Sequence, residues 1–225
     1  FVQSDDKCID KCKSLKARAE ANEAFGAELK KGKKADAQRG YEIACKEWMD
    51  VRSFGQVFAF KGSDLSLGIR GPVSVQPAFS VDPIDITSMQ ITKSVNSEDK
   101  EGKSSDTMCM KHRVDFGVYI LKGSINVQLS EKTGFTEEDA EKIKEAIRTL
   151  FVNDSSSARP DGSMVMHKLY WWKHNCKIGQ YSSHKVHNSI EIKKKEGVRN
   201  PRKIEDYEII CHELPGLAVE EYEGL

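Results

Sequence analysis

Midway along this chain, cationic and hydrogen-bonding side chains recur among flat ones. Arg52, Ser53, Gln56, Arg70, Gln76, Ser88, Gln90, Thr92, Lys93, Lys111, His112 and Arg113 are interleaved with Phe54, Phe58 and Phe79. Cations neutralise phosphate, amides and hydroxyls bond sugars and base edges, and rings stack on bases, so the mixture suits single-stranded RNA. Each residue alone has a plainer use. Phe54 and Phe58 suit a core, and Arg70 could pair with Asp64 or Asp82. The RNA reading rests on the grouping.

Signatures of ordinary catalysis are absent from the sequence: there is no phosphate loop G-x-x-x-x-G-K-[ST], no G-x-G-x-x-G after a strand, no H-E-x-x-H and no G-x-S-x-G. Asp82 or Asp85 with a metal, or His112 as a general base, could cut RNA. Asp82 lies in "SVDPID", however, where aspartate before proline is also ordinary turn chemistry. Cysteines stand at 8, 12, 45, 109, 176 and 211 with no C-x-x-C pair, as expected of reduced thiols. His174, Cys176, His184 and His187 are spaced more loosely than the ligand pairs of structural zinc. Neither a metal nor another cofactor is expected.

Composition bounds the partners. The 225 residues carry 35 basic and 35 acidic side chains, so no global field draws the chain to phosphate, and nucleic-acid binding must come from local charge placement. No apolar run approaches the roughly 18 residues of a membrane span. A cytoplasmic protein with no membrane partner is expected.

The elements that would position these residues follow from periodicity. Residues 8–25 and 36–50 read as helices, the second with Ala37, Tyr41, Ala44, Cys45 and Trp48 on one face. Between them "ELKKGKKADAQRG" reads as a solvated loop or a lysine cluster for phosphate. "VRSFGQVFAF" (51–60) and "SLGIRGPVSVQ" read as strands, the second bent at Gly71–Pro72. "ITSMQITKSV" (86–95) alternates, with Ile86, Ser88, Gln90 and Thr92 on one side. "NSEDKEGKSS" would be a mobile tip. Residues 111–128 read as a core strand through Val114, Phe116, Val118 and Ile120. Thr136 and its acidic first turn open a helix, and "SMVMHKLYWW", "SIEIKK" and "YEIICHEL" are further extended runs. Strand, helix, strand, strand, helix, strand is the ferredoxin-like plan, here an α+β fold whose first strand would lie upstream of residue 1.

Four blocks in order, "VRSFGQVFAF", "IRGPVSVQPAFSVDPID", "SMQITKSV" and "KHRVDFGVYILKGSINV", resemble the backbone subunit of type I CRISPR surveillance complexes (Cascade), of the I-B/I-C branch of the RAMP superfamily. The resemblance covers about residues 45–195. It implies a ferredoxin-like (RRM-like) palm over 1–71 and 113–195, with a helical insertion near 8–50. It also implies a β-hairpin thumb over 72–112 with its tip near 96–107, and a C-terminal extension over 196–225. The family's first palm strand and its Asn/Gly/Asp-rich loop are not found in these residues. By the same resemblance the chain would be a non-catalytic scaffold polymerising along guide (CRISPR) RNA in antiviral defence. Its partners would be that RNA, target DNA paired to it, further copies of itself and other Cascade subunits. The resemblance also implies that Arg70 and the polar hairpin residues face RNA. The competing readings are a RAMP ribonuclease and a protein-interaction module without nucleic acid.

Overall fold

The computed structural model describes residues 1–4, 7–95 and 108–225. The expected hairpin tip near 96–107 lies outside them. In chain order come α1 (Leu15–Ala21), α2 (Glu23–Leu29), α3 (Ala37–Glu47), α4 (Met49–Phe54), β1 (Gly55–Ala59) and β2 (Ser66–Arg70). Next are β3 (Val73–Val75), β4 (Phe79–Ser80), β5 (Ile86–Thr92), β6 (Met108–Val114), β7 (Tyr119–Ile120) and β8 (Gly123–Ile125). The chain continues through α5 (Val127–Thr133), α6 (Glu137–Arg148), β9 (Lys168–Trp172), α7 (Ser183–His187), β10 (Ile190–Lys194), β11 (Tyr207–Cys211) and β12 (Val219–Glu223). The α+β class is as expected. Among the described residues the strands pair only in twos, as antiparallel ribbons β1–β2, β3–β8, β4–β7, β5–β6, β9–β12 and β10–β11.

The chain divides into two compact units. The first comprises Phe1–Val75, Gly123–Ser183 and Glu213–Leu225, and the second Gln76–Lys122 and His184–His212. In the first unit, short polar side chains set the helix boundaries. Ser14 accepts from the Ala17 amide, Asn22 from Phe25, Asp36 from Gln38 and Arg39, and Asn126 from Leu129. The helix expected over 8–25 therefore begins at Leu15 and is divided at Asn22. The core is aromatic: Phe58 is fully buried against Phe25, with centroids 4.8 Å apart, and against Phe1 at 5.1 Å. Trp48 closes the group, 4.7 Å from Phe1 and 5.3 Å from Phe25. Leu67 and Ile69 alternate inward from β2, so α2–α4 cover one face of the β1–β2 ribbon.

Two expected strands are corrected. Residues 51–54 belong to α4, where the Ser53 hydroxyl donates to the Met49 carbonyl at 2.6 Å and Val51 faces the core. Gly55, at φ 88°, ends the helix and starts β1. A Cβ at Gly55 would lie 2.2 Å from the Ile69 carbonyl oxygen, and one at Gly71 would lie 2.2 Å from that of Ser53. Glycine is required wherever two backbones approach so closely. The strand expected over 111–128 is instead β6, β7, β8 and the start of α5, and its expected core residue Val114 is 43 % exposed. The reason is that, among the described residues, β6 pairs with β5 alone.

Arg52 ties α4 to α6 inside the first unit. Its Nε and Nη2 donate to the two oxygens of Asp139 at 2.8 and 2.6 Å, and Asp139 is 1 % exposed. Asp139 also accepts from the Thr136 amide, while the Thr136 hydroxyl accepts from the Asp139 amide, completing a capping box. Chiefly through the Arg52 hydrogen bonds, the Asp139 carboxyl is held down at about 2. Its proton affinity is lower folded than unfolded, so its stabilisation is complete above the ordinary value near 4 and is lost as pH falls toward 2. Arg52→Met strands a buried carboxylate and is expected to cost about 3 kcal/mol in urea unfolding at pH 7. The difference from the parent should shrink below pH 4.

Candidate nucleic-acid interface

The sequence-predicted binding residues are distributed over both units. In the first, Arg70 ends β2 opposite Gly55, on the outward face of the ribbon with the exposed Val57. Among the described residues no hydrogen bond or ion pair holds its guanidinium, so neither Asp64 nor Asp82 takes it. Gln56 lies on the inward side, opposite Ile69, and its amide donates to the Val57 carbonyl at 3.0 Å. Arg52 and Ser53 are corrected as RNA contacts. The Arg52 guanidinium is occupied by Asp139 and the carbonyls of Cys45 and Lys46, and Ser53 is fully buried. Phe58 is core, whereas Phe54 is 51 % and Phe79 70 % exposed.

Most of the remaining candidates meet on the β5–β6 ribbon of the second unit. Its register pairs Ile86 with Val114, Ser88 with His112, Gln90 with Met110 and Thr92 with Met108. Thr87 pairs with Arg113, Met89 with Lys111 and Ile91 with Cys109. Because side chains alternate across a strand and cross-strand partners share a face, the candidates divide between two faces. Ser88, Gln90, Thr92 and His112 occupy one. Lys111 and Arg113 occupy the other, among the exposed Met89 and Ile91. Lys93 follows β5 and is half-buried, and Gln76 is exposed ahead of β4.

The first face, which also carries the exposed Ile86, Met108, Met110 and Val114, is internally bonded: Ser88 Oγ lies 2.8 Å from His112 Nδ1, and the Gln90 amide approaches the Met108 sulfur. On the cationic face Arg113 Nε donates to Asp115 at 2.7 Å, and the Thr87 hydroxyl donates to the other Asp115 oxygen. These bonds hold the Asp115 carboxyl below its ordinary value, with Thr87 the larger influence. Arg113 remains 57 % exposed despite the pair. Lys111 is exposed, and no hydrogen bond or ion pair engages it among the described residues. Apolar side chains flanking cations on an exposed ribbon can pack against bases by van der Waals contact while the cations meet phosphate.

Asp82, the aspartate with a nuclease reading, is occupied in the second unit. It accepts from the Tyr207 hydroxyl at 2.8 Å and from Lys194 Nζ at 3.1 Å. These partners, Tyr207 first, lower its carboxyl from the ordinary value. Tyr207 itself is 5 % exposed and has Phe116 beside it at 6.5 Å. Sequence reasoning missed both partners because they lie more than a hundred residues away in the chain. Among the described residues no group of three His, Cys, Asp or Glu is placed to hold a metal, and His174, Cys176, His184 and His187 form no such group.

Residues 1–212 match the family described as CRISPR-associated protein Cas7. A chain of a solved structure, "CRISPR RNA-guided surveillance complex, pre-nicking", is similar at 20 % identity with a TM-score of 0.38. The match covers 64 % of this chain and 40 % of that one, so the chain spans about two fifths of the length of this neighbour. No curated protein matches.

Burial, and then the Asp82 hydrogen bond, push the Tyr207 hydroxyl up to about 12. A raised value favours the neutral phenol in the folded state, so this stabilisation is intact below about pH 10 and fades as pH rises through 12. Tyr207→Phe should therefore cost about 1 kcal/mol at pH 7, measured by urea unfolding. The gap from the parent should close progressively above pH 10.

Proposed function

We propose, on the premise that the chain belongs to the CRISPR-associated protein Cas7 family, that it is a non-catalytic backbone subunit holding guide RNA in a Cascade-type surveillance complex. The observation that carries the reading is the β5–β6 ribbon, exposed along nearly its whole length and bearing Lys111 and Arg113 among Met89 and Ile91 on one face. Lys111, Arg113 and Lys93 meet phosphate, and Ser88, His112, Gln90 and Thr92 offer hydrogen bonds to sugar and bases. Gln76 of the second unit is a further contact, and in the first unit Arg70, which no hydrogen bond or ion pair engages among the described residues, is a separate candidate for phosphate. Base pairing supplies specificity, while the protein holds sugar and phosphate in a shape ready to pair with target DNA.

The finer assignments belong to the same proposal. The subunit is of the I-B/I-C branch, with a ferredoxin-like palm and a thumb hairpin that contains the β5–β6 ribbon. It works in the cytoplasm, and copies of it assemble along the guide beside other Cascade subunits. A chain of formal charge zero suits stacking, because flanks can pack on neighbours without mutual repulsion. Engagement of Asp82 by Tyr207 and Lys194 supports a positional role for that aspartate over catalysis.

Filter binding of a labelled single-stranded RNA across a salt series tests the reading. The full chain should bind at low salt and weaken as salt rises, and Lys111→Ala/Arg113→Ala should flatten the log-affinity against log-salt slope by about 1.4. Absence of binding at low salt would remove the RNA role. The same RNA should survive incubation with Mg²⁺, and cutting that Asp82→Ala abolishes would replace the scaffold with a ribonuclease.

A further inference from the structure

Between β10 and β11 the second unit carries a run, "KKKEGVRNPRK" at 193–203, with Lys193, Lys194, Lys195, Arg199, Arg202 and Lys203 against the single acid Glu196. The connection is an ordered one. The Lys195 amide donates to the Asp206 carbonyl at 2.9 Å, and the Val198 amide donates to the Lys195 carbonyl at 3.1 Å across Gly197 at φ 82°. Asp206 beside the run accepts at Oδ2 from the Arg202 and Lys203 amides at 2.7 and 3.2 Å. Glu191 and Asp82 pair with Lys193 and Lys194. Lys195, Arg199 and Arg202 are exposed, and among the described residues no side-chain hydrogen bond or ion pair holds them.

We infer that Lys195, Arg199 and Arg202 form a second phosphate-binding segment, which extends the RNA contact of the β5–β6 ribbon onto the β10–β11 connection. The assignment rests on the RNA-binding reading given above. A turn fixed by its own backbone hydrogen bonds presents three cations without ordering a flexible tail, so less conformational entropy is lost when phosphate is bound. RNA is the polyanion that this run suits, because the run belongs to the same compact unit as the ribbon that carries Lys111 and Arg113. The side chains there are guanidinium and ammonium groups, which recognise phosphate oxygens and carry no base preference.

The test is salt-dependent filter binding of a labelled mixed-sequence single-stranded RNA to the full chain, with thermal unfolding as the folding control. Lys195→Ala/Arg199→Ala/Arg202→Ala should unfold like the parent and flatten the slope by about 2, whereas Lys195→Arg/Arg199→Lys/Arg202→Lys should keep it. Arg199→Glu alone, at an exposed position, gives a second reading in the same direction if the triple variant folds poorly. An unchanged slope in a folded triple-alanine or Arg199→Glu variant, beside a parent that binds RNA, overturns the segment and leaves the ribbon reading standing. A loss of duplex DNA binding with RNA binding intact overturns it likewise. Failure of the parent to bind RNA overturns both.

Discussion

A pair of antiparallel strands has two faces, and a neighbouring layer can cover each of them or leave it to water. Among the described residues every strand of this chain has a single strand partner, so the cover over each ribbon decides what that ribbon does. In the first unit, α2–α4 supply Phe25, Ala44, Trp48 and Val51 over β1–β2 and make a core. The β9–β12 ribbon is tied to α6 by Lys144, whose buried ammonium reaches Glu220 and lies over the Trp171 and Tyr222 rings. In the second unit the β5–β6 ribbon is exposed through most of its residues. Its cross-strand hydrogen bonds keep it in shape, and its side chains remain available to a partner.

That difference explains why the same residue types have different tasks at different positions. Arg52 and Arg113 each meet an aspartate. Arg52 does so against a carboxylate that is 1 % exposed, where removal of either partner leaves an uncompensated buried charge. Arg113 does so at the surface, where its pair with Asp115 contributes little to stability and leaves the guanidinium presented to solvent. Exposed cations that no hydrogen bond or ion pair engages among the described residues, such as Lys111 and Arg70, are the groups a polyanion can recruit without a loss of folding energy.

Legibility in the sequence followed the range of the interactions. The α6 cap at Thr136 was readable because both capping partners lie within three residues. The bend at Gly71–Pro72 was readable from two residues that strands tolerate poorly, and the structure adds the reason, the approach of the Ser53 backbone. Residues 51–54 misled, because Val and Phe have strand-like propensity while the helix that opens after Trp48 and the buried Val51 outweigh it. The β5 strand was legible as alternation, with Ser88, Gln90 and Thr92 on one side, but the bounds of β6 and the face that Lys111 and Arg113 would share were not. That face depends on a register that places Lys111 opposite Met89. Partners distant in sequence, Asp139 for Arg52 and Tyr207 for Asp82, leave no local signal at all.

The central claim is that RNA lies on the second unit's exposed ribbon, and photocrosslinking of a bound single-stranded RNA with peptide mapping addresses it most directly. The account predicts crosslinks in the peptides of residues 86–92 and 108–114, with Met89 and Lys111 among the modified positions. Crosslinks confined to the first unit, or a ribbon that stays unmodified while RNA is bound, would contradict it.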